Sequence, residues 1–124
     1  MMNIGLTHTS ALEVTDDKTA ARMGSGDLDV LATPAMLALM ENAAMLAVAA
    51  ELPVGSTTVG GYISSSHLVP TPLGATVTAT ATLTAVEGRK LTFRVEAHDA
   101  DGRLLGEGSH LRFVVDRERF LSRL

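Results

Sequence analysis

Residues 33–52 have the sequence TPAMLALMENAAMLAVAAEL, and this stretch decides the fold. Thr33 is a helix N-cap residue type, Pro34 suits the first helical position, and strong helix formers continue to about Leu52 and Pro53. The apolar residues of this predicted helix are Met36, Leu37, Leu39, Met40, Ala43, Ala44, Met45, Leu46 and Val48. They cover nearly its whole circumference instead of one stripe, so the rest of the chain has to wrap around it.

Five candidate strands surround the helix in the sequence. One, with partial alternation, precedes it at residues 6–14, and four follow at residues 58–69, 75–86, 90–98 and 104–115. Turn-forming residues separate the last four strands, namely the runs PTP, EGR and DADG. Short turns of this kind predict antiparallel neighbours.

The segment ATVTATATLTAV, residues 75–86, is the clearest of these strands because threonines alternate with small apolar residues throughout. This is the period of a half-buried antiparallel strand. One long apolar helix and several antiparallel strands pack most compactly when the sheet curls around the helix, which is the α+β hotdog fold. We therefore predict one such domain over residues 1–124. Its sheet edges and incompletely covered helix favour self-association.

The composition limits the classes of function. A chain of 124 residues, 46% of them hydrophobic, can bury its own core, and the absence of cysteine excludes disulfides and thiolate nucleophiles. A formal charge of −4, with one Tyr, three Phe and no Trp, argues against binding to nucleic acid or to an anionic membrane. No run approaches the roughly 20 apolar residues of a membrane span, and the first ten residues lack an export pattern. We therefore expect a cytoplasmic protein.

Glu41 is an ionisable residue in the middle of a helix that is otherwise suited to burial. A buried carboxylate has to be paired, hydrogen-bonded or protonated, and such groups are concentrated at functional sites. Alternatively, Glu41 and Asn42 mark a narrow stripe that faces solvent. The helical period alone is compatible with both interpretations.

Two of the four histidines are candidates for chemistry. His67 follows three serines and precedes Pro70, so it is predicted near a strand end, although a single strand histidine is more often a surface or packing residue. His110 in EGSHLRFVV is a second candidate, whereas His8 and His98 have no supporting context. The sequence has no HExxH or similar cluster, so we expect no metal site.

Thr33, Gly60 and Gly61 each have a structural and a functional interpretation. Capping fully explains Thr33, yet the N–H groups and partial positive charge of a helix N-terminus also stabilise an oxyanion. The two adjacent glycines permit either close approach of a ligand to the backbone or a strand bulge. These residues become functional candidates only in combination with others.

Three blocks of the sequence resemble a known family. They are LATPAMLALMENAAMLAV, VGGYISSSHLVPTPLGATVTATATLTAVEGRKLTFRVEAHD and GEGSHLRFVVDRERF, and together they extend over residues 31–120. Their order and spacing are similar to those of the fluoroacetyl-CoA thioesterase family of hotdog proteins, with TPxGxxVTxTAxLxxVEGRxLxFRVxAHD the most distinctive part. The resemblance implies hydrolysis of a small acyl-CoA thioester, with no cofactor because CoA is part of the substrate.

The resemblance also implies a set of site residues. The family carries a Thr, a Glu eight residues later on the helix, and a strand His, which correspond here to Thr33, Glu41 and His67 as the catalytic set. By the same resemblance, the backbone N–H of Gly60 lies near the thioester carbonyl, and Arg112 lies near the site or the CoA phosphates. In hotdog thioesterases the site commonly forms at a dimer interface, so a homodimer or higher homo-oligomer is implied.

Residues 15–32, before the helix, are predicted to form a loop or a short helical lid. They contain no Phe, Tyr or Trp, whereas the fluoroacetate-resistance enzyme of this family has an aromatic-bearing lid. Fluorinated acyl groups are therefore not implied here. A simpler short-chain acyl group, or a branched or aryl one, fits the same catalytic core.

The expected reaction has two possible forms. Glu41 either attacks the thioester carbonyl or acts as general base toward water, while His67 relays protons and Thr33 orients His67 or the carbonyl. Thr33 and Glu41 are about 12 Å apart along a helix. Either the substrate or His67 therefore lies between them, or two subunits complete one site. The alternatives are a hotdog enoyl-CoA hydratase or dehydratase, a non-catalytic acyl-CoA or small-molecule binding module, and a purely structural dimer.

Overall fold

Five antiparallel strands and one long helix dominate the structure, a computed structural model that describes residues 2–124. The strands are β1 (Thr7–Glu13), β2 (Ser56–Ser65), β3 (Thr76–Glu87), β4 (Lys90–Asp99) and β5 (Leu104–Asp116). The helices are α1 (Ala20–Met23), α2 (Thr33–Ala49) and α3 (Arg117–Ser122), with a 3-10 turn at Asp16–Lys18. The strand order is β1-β3-β4-β5-β2, which leaves β1 and β2 at the two edges of the sheet. The predicted α+β architecture is confirmed.

The two ends of helix α2 differ from the prediction. Ala32, and not Thr33, is the N-cap residue, and its carbonyl accepts the N–H groups of both Ala35 and Met36. The predicted capping role of Thr33 is therefore wrong, and its side chain is free for another partner. The helix ends at Ala49 instead of near Leu52, because the residue before a proline disfavours helical geometry and the last turn tightens.

The core lies between α2 and the inner face of the sheet. The alternation predicted for residues 75–86 is confirmed as far as Leu83, since Val77, Ala79, Ala81 and Leu83 are buried while the threonines between them line the outer face. Beyond the register shift that follows Leu83, Val86 is exposed. On that outer face the hydroxyls of Thr9 in β1 and Thr80 in β3 are 2.8 Å apart. The buried sheet residues are Val77, Ala79, Ala81, Leu83, Leu91, Phe93, Val95, Ala97 and Leu105, which face Met36, Leu39, Met40, Ala43 and Val48 of α2.

Strand β2 ends four residues earlier than predicted, at Ser65 and not at Val69. Near its end it crosses closely over Gly106 and Gly108 of β5, where an added Cβ would collide with the carbonyl groups of Ser66 and Ser64. The Ser66 N–H bonds to the Glu107 carbonyl and the Leu68 N–H to the Leu105 carbonyl, so the chain continues beside β5 without regular strand pairing. His67 consequently lies just beyond a strand and not within one.

Two short helices complete the part of the chain that the structure describes. Residues 15–32 contain the 3-10 turn and α1 joined by loops, so the predicted loop or short helix is present, and its role as a lid stays a prediction. Helix α3 follows β5 directly and was not predicted, although Asp116 caps it by accepting the Arg119 N–H at 2.9 Å. No helix among residues 2–124 has the length and apolar composition needed to cross a bilayer.

Candidate active site

The side chains of Thr33 and His67 meet at the start of α2. Thr33 Oγ1 lies 2.7 Å from His67 Nδ1, a hydrogen bond that the first residue of the helix makes to the residue two positions after β2. Burial lowers the pKa of His67 below its usual value of 6.5, so the ring is neutral at pH 7. Its Nε2 is also buried and has no hydrogen-bond partner among residues 2–124. A neutral imidazole held by a hydroxyl is suited to proton transfer.

Glu41 lies two turns further along α2, against strand β2 and strand β5. Its side chain is 43% exposed, which is intermediate between the buried carboxylate and the solvent-facing stripe considered from the sequence. Glu41 Oε2 is 3.9 Å from Arg112 Nη1, too long for a hydrogen bond but close enough for charge attraction. The Asn42 side chain points elsewhere and accepts a hydrogen bond from the Ser10 hydroxyl at 2.7 Å.

Arg112 is fixed beneath Glu41 by three hydrogen bonds. Its Nε donates to Thr58 Oγ1 at 2.8 Å, its Nη2 donates to the Thr58 carbonyl at 2.9 Å, and its Nη1 donates to His110 Nε2 at 3.2 Å. The residue is only 6% exposed. Arg112 thus lies beside Glu41 with its guanidinium buried, and its implied role near the site or the CoA phosphates stays a prediction.

His110 completes this group and is fully buried. Its Nδ1 lies 2.7 Å from the Tyr62 carbonyl and therefore donates to it, which leaves Nε2 to accept from Arg112. Burial lowers the pKa of His110, and the positive charge of Arg112 lowers it further. The neutral ring thus positions the arginine that faces Glu41.

Gly60 is the point where the backbone of β2 approaches the carboxylate. A Cβ at this position would lie 2.7 Å from Glu41 Oε2 and 3.3 Å from His110 Cε1. Gly61 is the extra residue of a bulge between Gly60 and Tyr62 in the pairing with β5. The bulge interpretation of the glycine pair is therefore confirmed, whereas close approach of a ligand to this backbone stays a prediction.

The five predicted site residues fall into two groups. Thr33 and His67 form one, which we call the histidine half-site, and Glu41, Gly60 and Arg112 form the other, which we call the carboxylate half-site. Because His67 contacts Thr33 at the far end of α2, it does not bridge Thr33 and Glu41 within one chain. The predicted helix-terminus oxyanion site has little support, since Pro34 lacks an N–H and those of Ala35 and Met36 are already bonded.

Two residues that hydrogen-bond to Arg112 of the carboxylate half-site, Thr58 and His110, were given no role by the sequence. Thr58 was not singled out, and His110 was a candidate without a function. The sequence feature that could have identified His110 is its spacing from Arg112. Residues i and i+2 of a strand lie on the same face, and His110 and Arg112 are both buried here. Thr58 lies on another strand, and nothing local in the sequence pairs it with Arg112.

Comparisons with known proteins identify the family. The model of the fluoroacetyl-CoA-specific thioesterase family matches residues 14–118. A fluoroacetyl-CoA thioesterase of Streptantibioticus cattleyicolor is 45% identical over 92 residues, which are 74% of this chain and 66% of that protein, so the chain spans slightly less than two thirds of that relative.

Solved structures extend the similarity to nearly the whole chain. A variant of the fluoroacetyl-CoA-specific thioesterase in complex with fluoroacetate and CoA superimposes with a TM-score of 0.88 at 38% identity, over 96% of this chain and 99% of that one. A hot-dog-like protein from Thermanaerovibrio acidaminovorans gives a TM-score of 0.87 at 26% identity, over 98% and 90% of the two chains. The protein belongs to the fluoroacetyl-CoA-specific thioesterase family and has its hotdog fold.

Proposed function

We propose that the protein hydrolyses an acyl-CoA thioester to the free acid and CoA, with Thr33, Glu41 and His67 as its reactive set. The Glu41 carboxylate carries the proposal. It is half-exposed on a mostly apolar helix, and a buried, hydrogen-bonded arginine lies on its inner side. The fixed guanidinium attracts the carboxylate from the inner side, while its exposed side stays available to a substrate.

Glu41 starts the reaction in either of two ways, by attacking the thioester carbonyl or by removing a proton from an attacking water. In both, the carbonyl oxygen becomes an oxyanion, and the Gly60 N–H is the donor that we assign to it. When Glu41 acts as general base, His67 relays the proton taken from water to the departing thiolate of CoA. When Glu41 attacks, the thiolate leaves an anhydride on Glu41, water hydrolyses this anhydride to the free acid and restores the carboxylate, and His67 relays the proton of that water to the thiolate. Thr33 holds the imidazole ring in place through Nδ1. No cofactor takes part in this proposal, because CoA enters as part of the substrate.

Release of free CoA thiol from a panel of acyl-CoAs tests the proposed function. Because the chain has no cysteine, a thiol reagent reacts with the released CoA and not with the enzyme. We expect turnover of at least one member of the panel. Hydration of an enoyl-CoA with its thioester left intact would instead identify a hydratase, and thermal stabilisation by CoA without any turnover would identify a binding module.

Replacing Thr33 tests its contact with His67. Thr33→Val keeps the shape of the side chain and removes the hydroxyl, so we expect kcat to fall about tenfold while the free energy of unfolding changes by less than about 1 kcal/mol. Thr33→Ser restores the hydroxyl and serves as the matched control, with kcat near that of the wild type. Equal rates for the Val and Ser variants would show that the hydroxyl does not act through His67.

We further propose that the protein forms a homodimer through strand β2. This strand pairs only with β5, and its ten residues, STTVGGYISS, include neither a charge nor a proline, the usual protection of a free edge. Antiparallel pairing of β2 with a second copy, in a register centred between Ile63 and Ser64, brings the chain end that carries His67 towards the partner subunit's Gly60. The histidine half-site of one subunit then faces the carboxylate half-site of the other.

Mixing two inactive variants tests this arrangement. If each site takes Glu41 from one subunit and His67 from the other, a heterodimer of Glu41→Gln and His67→Ala has one intact site. Random exchange makes half of the dimers mixed, so we expect about a quarter of the wild-type activity to return. Native mass spectrometry checks that the subunits have exchanged, because the heterodimer has a mass between those of the two homodimers. Exchange without recovered activity would place both residues of a site in the same subunit.

A further inference from the structure

A cavity of about 270 Å³ opens beside the histidine half-site. Besides Thr33 and His67, it is lined by Ala20, Ser25, Val30, Leu31, Leu68 and Pro70. Five of these six residues are apolar and the sixth is Ser25, and none of the eight lining residues carries a formal charge at pH 7. The cavity is therefore built for an apolar, uncharged group next to the imidazole.

The size of the cavity excludes a close fit to the smallest acyl groups. The methyl group of an acetyl-CoA would leave most of the cavity unfilled, and a good fit to apolar walls requires displacing the water beside them. A carboxylated acyl group such as succinyl would lose its hydration without meeting an opposite charge in the lining.

The outer wall of the cavity comes from residues 15–32, which are firmly folded. Ala20 donates its N–H to the Val30 carbonyl at 2.8 Å, and isolated bridges join Thr19 to Leu31 and Val30 to Pro72. Two of the side chains that this wall contributes to the cavity are small, namely Ala20 on α1 and Ser25 in the turn after it. The width of the cavity thus follows from residue size and not from a loose loop.

We propose that the natural substrate carries an uncharged acyl group that is larger than acetyl and is branched or aromatic, and that Ala20 sets the upper limit of its size. This proposal rests on the proposed thioesterase function, because it assigns the cavity to the acyl group of the same substrate. The half-buried Ala20 side chain lines the cavity, so a larger side chain at this position is expected to narrow it.

The test compares kcat/KM for acetyl-, isobutyryl-, isovaleryl-, phenylacetyl- and succinyl-CoA. We expect a branched or aromatic substrate to exceed both acetyl-CoA and succinyl-CoA by about tenfold or more in the wild type. In Ala20→Phe, kcat/KM for the larger substrates should fall by at least about tenfold and that for acetyl-CoA by less than about threefold. Ala21→Phe, at the exposed neighbouring position of the same helix, is the matched control and should leave the order unchanged.

Two results would overturn the proposal. One is a wild type that hydrolyses acetyl-CoA or succinyl-CoA fastest, and the other is an unchanged substrate order in Ala20→Phe. If Ala20→Phe does not fold, Ser25→Phe narrows the same wall from an exposed position and is judged by the same criteria. Absence of thiol release from every substrate would instead contradict the thioesterase function itself, so the two failures are distinct.

Discussion

Glu41→Gln is expected to lower kcat for thiol release by about 1000-fold or more, because an amide can neither attack a thioester nor accept a proton from water at neutral pH. The substitution keeps the size of the side chain. The carboxylate it removes is half-exposed and 3.9 Å from Arg112, so the loss of this weak ion pair should change stability by less than about 1 kcal/mol. The fold and the binding of CoA should therefore persist.

Steady-state kinetics and thermal unfolding of the same preparation measure both effects. Glu51→Gln provides the matched control, since it is the same substitution at an exposed residue just beyond α2. We expect its kcat to equal that of the wild type. If Glu41→Gln retained a kcat within about tenfold of the wild type, Glu41 would be neither nucleophile nor general base.

Gly60→Ala is expected to lower kcat by about 100-fold without unfolding the protein. The added Cβ would lie 2.7 Å from Glu41 Oε2, so the carboxylate must move, and a displacement of about 1 Å at a reacting group is enough for a loss of this size. The nearest atom it meets is the end of a flexible side chain and not backbone. The free energy of unfolding should therefore change much less than the rate.

A shorter carboxylate provides a test that separates displacement from general damage. Glu41→Asp withdraws the carboxylate by one methylene and removes the contact that the Gly60→Ala methyl group would make. In the double variant we expect a smaller loss than the product of the two single losses, which a double-mutant cycle of kcat values measures. Losses that simply multiply would show that Gly60 acts on the reaction by another route.

Much of the fold could be predicted from local patterns. The alternating threonines of β3 gave a strand whose burial follows the same period, and the apolar run after Pro34 gave the central helix. The errors occur at element ends, where tertiary contacts decide. Thr33 has the chemistry of an N-cap, but a hydrogen bond to His67 uses its hydroxyl and Ala32 takes the cap position. Strand β2 stops at Ser65 because its regular pairing with β5 ends there, although the Ser66 and Leu68 N–H groups still donate to carbonyls of β5.

The site was less predictable than the fold. Family resemblance proposed Glu41 and Arg112 separately, but their proximity depends on β5 lying between β4 and β2, a strand order that no local pattern in the sequence encodes. The role of His110 depends in turn on the Tyr62 carbonyl, which a residue 48 positions away supplies. The division into two half-sites also depends on tertiary contacts. Gly60 of β2 lies beside Glu41 in the middle of α2, whereas His67, after the end of β2, contacts Thr33 at the start of α2.

The edge positions of β1 and β2 also have a consequence for folding. Strands β3, β4 and β5 are consecutive and joined by short turns, whereas Gly60 of β2 pairs with Arg112 of β5 across a long stretch of chain. Contacts close in sequence cost less loop entropy, so we expect the three-stranded meander to form first and β2 to join it later. The carboxylate half-site then exists only after the last strand has docked. During refolding, thiol release from acyl-CoA should therefore appear after amide protection of the meander. The appearance of activity would then measure the docking of β2.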